Sequence, residues 1–310
     1  MSVAEQLDEL LVRPPPPVSG TDLDEVRAAL EEAADRAVQL VDGHEAEHVL
    51  PLRLPKSRVV ALAECERLAV ARHGTPTEGA PSVPVLRGLA LDAFVLHELH
   101  EGPVADPRED LRSMLLAQDE PGLAQQVDAA GDDLDLAPLA AAARDWSGLD
   151  PAWWPRSQSA AALHLSGGRV RCDSRVDVEL GGPLTGRPGV VVEVKVGRPH
   201  RNHLAEVGHY ALLVALRDGI APAVVARWYP GSVLAQLPVT ADVIRSGARR
   251  LTAAIGAWAE LQVGRRPRES AGPGCGWCPV ADVCPTFEPP PDPFAEPTDA
   301  PVRPVPDAAP

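Results

Sequence analysis

The sequence from Arg169 to Val196 is RVRCDSRVDVELGGPLTGRPGVVVEVKV. Two runs rich in β-branched residues flank a connector of glycine and proline, and this pattern predicts a β-hairpin with a long loop. Residues two apart on a strand project from the same face of a sheet, so Glu193 and Lys195 should lie side by side. A hairpin centred on Thr185 would place Asp177 opposite Glu193. The sequence therefore predicts two carboxylates and one ammonium on one patch of sheet, a set of groups that can hold a divalent cation and a phosphodiester.

Lysine is scarce in this chain. Of its 29 basic residues only Lys56 and Lys195 are lysine, and the others are arginine. An ammonium is a compact point charge that can orient a water molecule, whereas a guanidinium does not give up its proton. A cross-strand ion pair would explain Glu-x-Lys by itself, so a functional interpretation depends on the rest of the chain.

The composition predicts a globular core with chain ends of different character. The 310 residues include 34 prolines, clustered at 14–17 and beyond 285. We expect an acidic helical extension at residues 1–50, a core domain at 51–286 and a disordered proline-rich tail at 287–310. The sequence has no apolar run of about 18 residues and no signal peptide, which predicts a cytoplasmic protein without a membrane span.

The charge is distributed unevenly along the chain. The whole chain carries a net charge of −15, but residues 151–270 hold 16 basic and 9 acidic side chains. This segment therefore has a balance of +7, and the rest of the chain carries −22. A basic middle between acidic flanks is compatible with a protein that meets a polyanion with one face.

The helix predicted at residues 84–101 contributes one further acidic side chain. Leu89, Asp92, Leu96 and Leu99 share one apolar stripe of this helix, so Asp92 is expected to point inward. His97 is five residues further on, about 140° around the helix, and cannot share that direction.

Two other predicted helices carry residues of interest. Residues 57–74 predict one continuous helix with Cys65 inside it, and residues 202–219 predict another. In the second helix Glu206 and Tyr210 are separated by four positions and lie on the same face.

Three of the five cysteines form the cluster C-x2-C-x5-C, at Cys275, Cys278 and Cys284. Close cysteines in a cytoplasmic chain favour metal binding or catalysis over disulfides. All-cysteine zinc sites and iron–sulfur clusters both normally need four ligands. Cys172 is expected to be a small buried residue on a strand, so we assign Cys65 as the fourth ligand. The spacing does not separate an iron–sulfur cluster from zinc.

Over residues 51–286 these motifs resemble the RecB-like exonucleases of the PD-(D/E)xK superfamily, in the branch that carries a [4Fe–4S] cluster. The CRISPR-adaptation exonucleases and the AddB-type nuclease domains belong to that branch. Ser174 to Asp177 is similar to the strand motif G-x-x-D of the family, and Glu193-Val194-Lys195 is similar to its D/E-x-K. Glu206 to Tyr210 is similar to its Q-x-x-x-Y, and the four cysteines are similar to its cluster ligands.

The chain departs from the family pattern at three positions. Serine stands at 174 in place of glycine, and glutamate stands at 206 in place of glutamine. The upstream motif G-x-x-x-H begins at Gly88 and ends at Asp92, so an aspartate replaces the metal-binding histidine. Aspartate also binds Mg²⁺ and Mn²⁺. His97 is the alternative ligand if the helix is offset.

The resemblance implies an α/β fold with a PD-(D/E)xK nuclease core, in which helices flank a central mixed β-sheet. An iron–sulfur cluster would clamp the N- and C-terminal segments together. The implied function is that of a metal-dependent DNA exonuclease, a deoxyribonuclease that hydrolyses phosphodiester bonds at single-stranded ends. Its setting would be DNA repair, recombination or CRISPR spacer processing, with a protein partner in such a complex.

The resemblance also implies roles for the site residues. Lys195 would orient the attacking water or neutralise developing charge, and Glu206 and Tyr210 would support the site or contact DNA. One or two Mg²⁺ or Mn²⁺ ions would be held by Asp92, Asp177, Glu193 and the backbone carbonyl of Val194.

Two other interpretations stay open. The chain could be a catalytically weak DNA- or partner-binding module on the same fold, or a restriction-type endonuclease stabilised by zinc. The sequence contains no G-x-x-x-x-G-K-[ST] motif, which argues against a P-loop motor.

Overall fold

The structure, a computed structural model, describes residues 2–44, 50–74, 81–197, 199 and 202–287. Its centre is a mixed sheet with the strand order β1-β3-β4-β5-β6, and β2 also pairs with β3. The β1–β3 and β4–β5 pairs are parallel, and the other pairs are antiparallel. The strands are β1 Leu52–Arg53, β2 Arg156–Leu165, β3 Val170–Gly182, β4 Arg187–Val194, β5 Val224–Trp228 and β6 Ala235–Pro238.

Helices cover both faces of this sheet, so the predicted α/β class with a central mixed sheet is confirmed. Within the described ranges, no helix is sufficiently long and apolar to span a membrane. The tail predicted to be disordered is residues 287–310, and all of it except residue 287 lies outside the described residues. The α-helices are α1 Val3–Val12, α2 Gly20–Asp42, α3 Lys56–Glu64, α4 Glu66–Gly74, α5 Val83–His100, α6 Pro107–Ala117, α7 Pro121–Ala130, α8 Leu136–Ala143, α9 Asn202–Asp218 and α10 Ala241–Gln262.

The register of the β3–β4 hairpin matches the sequence prediction. Val178 pairs with Val192 in the antiparallel ladder. Continuing this pairing by one residue places Asp177 opposite Glu193, as expected for a hairpin centred on Thr185. The two carboxylates therefore start from neighbouring strands and from the same face of the sheet.

Two apolar cores lie on opposite sides of the sheet. Val190, Val192 and Val194 of β4 pack into the core formed with α1, α5 and α8. Val191 packs into the other core, which contains buried residues of α2, α9 and α10. Because side chains alternate along a strand, Glu193 faces the same side as Val191. The sheet therefore directs this carboxylate toward the layer that contains α9.

The segment at residues 1–50 also contributes to these cores. Leu7 of α1 is buried in one core, and Leu30 and Ala34 of α2 are buried in the other. The helices of this segment are therefore packed against the sheet layers, whereas the boundary at residue 50 stays a prediction.

The prediction of one continuous helix over residues 57–74 is wrong, because the helix breaks at Cys65. Cys65 has extended backbone angles, φ −160° and ψ 119°, between α3 and α4. The carboxylate of Glu66 accepts hydrogen bonds from the side chains of Arg265 and Arg268. The amide of Arg67 donates to the carbonyl oxygen of Arg268. In a continuous helix the amide of Arg67 would bond within the helix, whereas here it bonds to a distant segment. The local sequence does not indicate these contacts.

Candidate functional site

The hairpin and β5 fix the positions of the two predicted strand carboxylates and of the lysine. The backbone amide of Val194 donates to Asp177 Oδ2 at 2.9 Å, which ties Asp177 to the neighbouring strand. The amide of Lys195 donates to the carbonyl oxygen of Trp228 at 2.9 Å, just past the end of β4. Glu193 directly precedes Val194 on β4 and is 2% exposed. Main-chain hydrogen bonds therefore hold this part of the site.

Lys195 links the strand to α9. Its Nζ lies 2.5 Å from Glu193 Oε1 and 2.8 Å from Glu206 Oε2. Burial disfavours the charge of Lys195, but Glu193 and Glu206 outweigh this effect and raise its pKa above the usual range. Burial also opposes the charge of Glu206, yet Lys56 and Lys195 outweigh it and lower the pKa of Glu206 to about 2. Both partners are therefore charged at neutral pH.

Lys56, at the start of α3, belongs to the same site. Its Nζ donates to Glu193 Oε1 and to the hydroxyl of Tyr210, both at 2.7 Å. It also lies 3.1 Å from Glu206 Oε2. The two lysines of the chain thus meet on the same two carboxylates. Sequence reasoning did not place Lys56 in the site, although the scarcity of lysine was a signal that could have found it.

Tyr210 holds α9 against β3. Its hydroxyl donates to the carbonyl oxygen of Arg175 at 2.7 Å and accepts from Lys56. Burial, followed by the charges of Glu193 and Asp177, raises the pKa of this phenol. The hydroxyl therefore stays protonated and anchors the site.

Asp92 of α5 lies close enough to the hairpin carboxylates to feel their charges. Burial, and then the charges of Asp177 and Glu193, raise the pKa of Asp92 to about 8. Burial and the charge of Glu193 raise the pKa of Asp177 to about 7. Like charges gathered in a poorly solvated place disfavour ionisation. Lys56 and Lys195 lower both pKa values, but burial and the neighbouring carboxylates outweigh them, so these carboxyl groups share one electrostatic environment.

The other predictions for α5 have different outcomes. His97 Nδ1 lies 3.4 Å from Glu101 Oε2, a residue of its own helix end. The predicted apolar stripe of α5 is only partly correct. Leu89 is 39% exposed, and the buried face includes Leu86 and Phe94. The structure thus brings Asp92, and not His97, to the hairpin.

The donor set is suited to a divalent cation. Glu193 Oε2 is buried without a hydrogen-bond partner in the described structure. As the side chains stand, no group of three or more His, Cys, Asp or Glu residues within the described ranges is arranged to hold a metal ion. The orphaned oxygen and the raised pKa values of Asp92 and Asp177 are what a cation at this place would relieve. Carboxylate oxygens are the type of ligand that Mg²⁺ and Mn²⁺ accept.

Four cysteines line one cavity of about 270 Å³: Cys65, Cys275, Cys278 and Cys284. The backbone amide of Gly272 donates to the sulfur of Cys275 at 3.4 Å. Cys172 is fully buried elsewhere, and burial raises its pKa to about 12, as expected for an inert core residue. The structure therefore brings Cys65 to the C-terminal cysteines. The sulfur of Cys65 also lies near the carbonyl oxygen of Arg268, a residue 203 positions later in the sequence.

Charged contacts beside this cavity hold its two walls together. The carboxylate of Glu66 is 5% exposed and bonds to the guanidinium groups of Arg265 and Arg268. The side chain of Arg67 pairs with Glu269. These pairs fix residues 265–269 against the beginning of α4.

Helix α3 connects the cavity and the acidic site. It begins at Lys56 and ends at Glu64, directly before Cys65. Nine residues of α-helix span about 14 Å. The cysteine cavity and the carboxylate cluster therefore lie at opposite ends of one short helix.

Comparisons with known proteins give no family assignment. No protein-family model matches the chain, and no curated protein matches it. A crystal structure described as "Putative exonuclease" from Eubacterium rectale is similar over 79% of this chain and 92% of that chain, with 13% sequence identity and a TM-score of 0.45. The crystal structure of SSO0001 is similar over 72% of this chain and 94% of that chain, with 14% identity and a TM-score of 0.31. Both TM-scores are too low to transfer a fold or an activity to this chain.

Proposed function

We propose that the chain is a metal-dependent DNA exonuclease of the PD-(D/E)xK type that hydrolyses phosphodiester bonds at single-stranded ends. One observation carries this proposal. Three carboxylates, from α5, β3 and β4, gather beside Lys195, and one buried carboxylate oxygen has no partner among the described residues. The resemblance of the sequence motifs supports the same conclusion.

The residues that would hold Mg²⁺ or Mn²⁺ are Asp92, Asp177, Glu193 and the backbone carbonyl of Val194. The bound cation would polarise a phosphodiester oxygen and lower the pKa of a water molecule. Lys195 would orient that water, or neutralise charge that develops on the phosphate. Glu206 holds the ammonium of Lys195 in place, and Tyr210 fixes the position of α9 on β3.

We also propose that Cys65, Cys275, Cys278 and Cys284 bind a [4Fe–4S] cluster. The common cavity that these four residues line supports this assignment, because cubane clusters are normally held by four thiolates. The cluster would act as a clamp between α3 and the C-terminal segment. Zinc is the competing occupant, and the absorbance and the iron content of anaerobically purified protein separate the two.

The activity can be tested on end-labelled single- and double-stranded DNA, with Mg²⁺ or Mn²⁺, beside the Lys195→Ala variant. We expect metal-dependent degradation from single-stranded ends that the variant loses. Arg36→Ala, which removes an exposed charge paired with Glu32, is the matched control and should retain activity.

The catalytically weak binding module is the competing outcome. If wild type and Lys195→Ala bind DNA equally and neither degrades it with any divalent cation, the nuclease proposal is wrong. Repair, recombination or spacer processing, together with a protein partner, stays a prediction from the resemblance.

A further inference from the structure

Lys56 uses its whole bonding capacity inside the site. An ammonium has three N–H donors, and Lys56 Nζ lies within 3.1 Å of three acceptors, on Glu193, Glu206 and Tyr210. The side chain is only 22% exposed. These contacts distinguish Lys56 from a lysine in an exposed surface pair, which is mobile and contributes little.

Both ammonium groups contact the same oxygen of Glu193. Lys56 Nζ and Lys195 Nζ lie 2.7 and 2.5 Å from Oε1. In the described structure Oε2 of the same carboxylate is buried and has no partner. The lysines therefore leave one oxygen of Glu193 available to another cation.

The net charge of the fully ionised site equals the charge that one divalent cation would neutralise. Two ammonium groups contact the carboxylates of Glu193 and Glu206, and they interact electrostatically with those of Asp92 and Asp177. When all are ionised the excess is two negative charges, which one Mg²⁺ or Mn²⁺ would balance. Without Lys56 the excess would be three, and the oxygens that Lys56 now contacts would face no ammonium except that of Lys195.

We propose that Lys56 takes the place of a second metal ion, so that the site binds a single divalent cation. This inference rests on the proposed function, because it assumes that the carboxylate cluster is the metal site. Lys56 is then a positioning residue, which acts through Glu193 and Glu206 and sets the number of ions that the site accepts.

The test is the stoichiometry of Mn²⁺ binding to the full-length protein without DNA. Isothermal titration calorimetry gives the number of ions, and electron paramagnetic resonance detects spin coupling between two neighbouring Mn²⁺ ions. We expect one uncoupled Mn²⁺ in the wild type and two coupled ions in Lys56→Met. Lys56→Arg, which keeps the charge, and Arg36→Met, which removes an exposed charge, should each bind one.

Thermal unfolding adds a second readout and a check of folding. A cation that binds only the native state stabilises it by mass action, so saturating Mn²⁺ should raise the melting temperature of Lys56→Met more than that of the wild type. If Lys56→Met does not fold, Lys56→Gln replaces it, since an amide can still donate to the Tyr210 hydroxyl.

The outcomes separate this inference from the proposed function. If Lys56→Met or Lys56→Gln folds and binds only one Mn²⁺, the inference is overturned, and a simultaneous loss of DNA binding would instead assign Lys56 to a phosphate contact. If the wild type binds no Mn²⁺ and does not degrade DNA, the proposed function itself fails.

Discussion

Replacing His209 by glutamine should remove much of the sensitivity of the fold to mild acid. His209 lies on α9 and is 2% exposed, and within the described residues its Nε2 has no hydrogen-bond partner. Burial, and then the charges of Lys56 and Arg250, lower its pKa from 6.5 to about 4. The folded protein therefore keeps this imidazole neutral under conditions in which the unfolded chain protonates it.

The size of the effect follows from proton linkage. A lowered pKa in the folded state means that the unfolded state binds the proton first, so stability is lost as pH falls from about 6.5 toward 4. One pKa unit corresponds to about 1.36 kcal/mol. At about pH 5 the unfolded imidazole is almost fully charged and the folded one almost neutral, which costs about 2 kcal/mol relative to pH 7.5.

The measurement is urea unfolding followed by circular dichroism between about pH 7.5 and 5, for the wild type, His209→Gln and His209→Met. Other titrating groups act in all three proteins, so the informative quantity is the difference between wild type and variant. This difference should move in favour of each variant by about 2 kcal/mol over the range. Parallel pH profiles would refute the reasoning and would mean that His209 is not buried as a neutral group.

Three further predictions test the other parts of the site. Glu66→Gln should lower the free energy of unfolding, measured by urea titration, by about 2–3 kcal/mol, because it leaves two guanidinium groups without their buried carboxylate. An unchanged value would show that the ion pairs are too solvated to contribute. Asp177→Asn should weaken Mn²⁺ binding measured by calorimetry. In the presence of a chelator it should raise the melting temperature, because it removes a repelling carboxylate. A lower melting temperature of the metal-free variant would contradict the repulsion. Cys65→Ser should reduce the iron content of anaerobically purified protein, whereas Cys172→Ser should retain it, and equal iron contents would exclude Cys65 as a ligand.

Local patterns in the sequence were sufficient to predict the hairpin and its register. The strand period of two fixes which side chains share a face, so centring the hairpin on Thr185 was enough to place Asp177 opposite Glu193. The helical period similarly placed Glu206 and Tyr210 on one face of α9, and both reach the site. These inferences depend only on neighbours along the chain.

The features that were missed depend on residues far away in sequence. The break at Cys65 exists because Glu66 and Arg67 bond to residues 265–269, which no pattern within residues 57–74 reveals. Lys56 reaches Glu193 over a sequence separation of 137 residues. Periodicity identifies a buried face of a helix, but it does not identify the distant side chain that such a face will meet.

The position of α3 also has a consequence for synthesis on the ribosome. Lys56 can form its contacts only after Glu193 and Tyr210 have been synthesised. At the other end of α3, the amide that bonds to Glu66 belongs to a residue 202 positions later. During translation the hairpin and α9 emerge well before residues 265–269, so α3 cannot be fixed at both ends until residues 265–269 have emerged. The nascent protein would therefore pass through an interval in which Lys56 is already held by the acidic cluster, while the far end of α3 still lacks its contacts with residues 265–269.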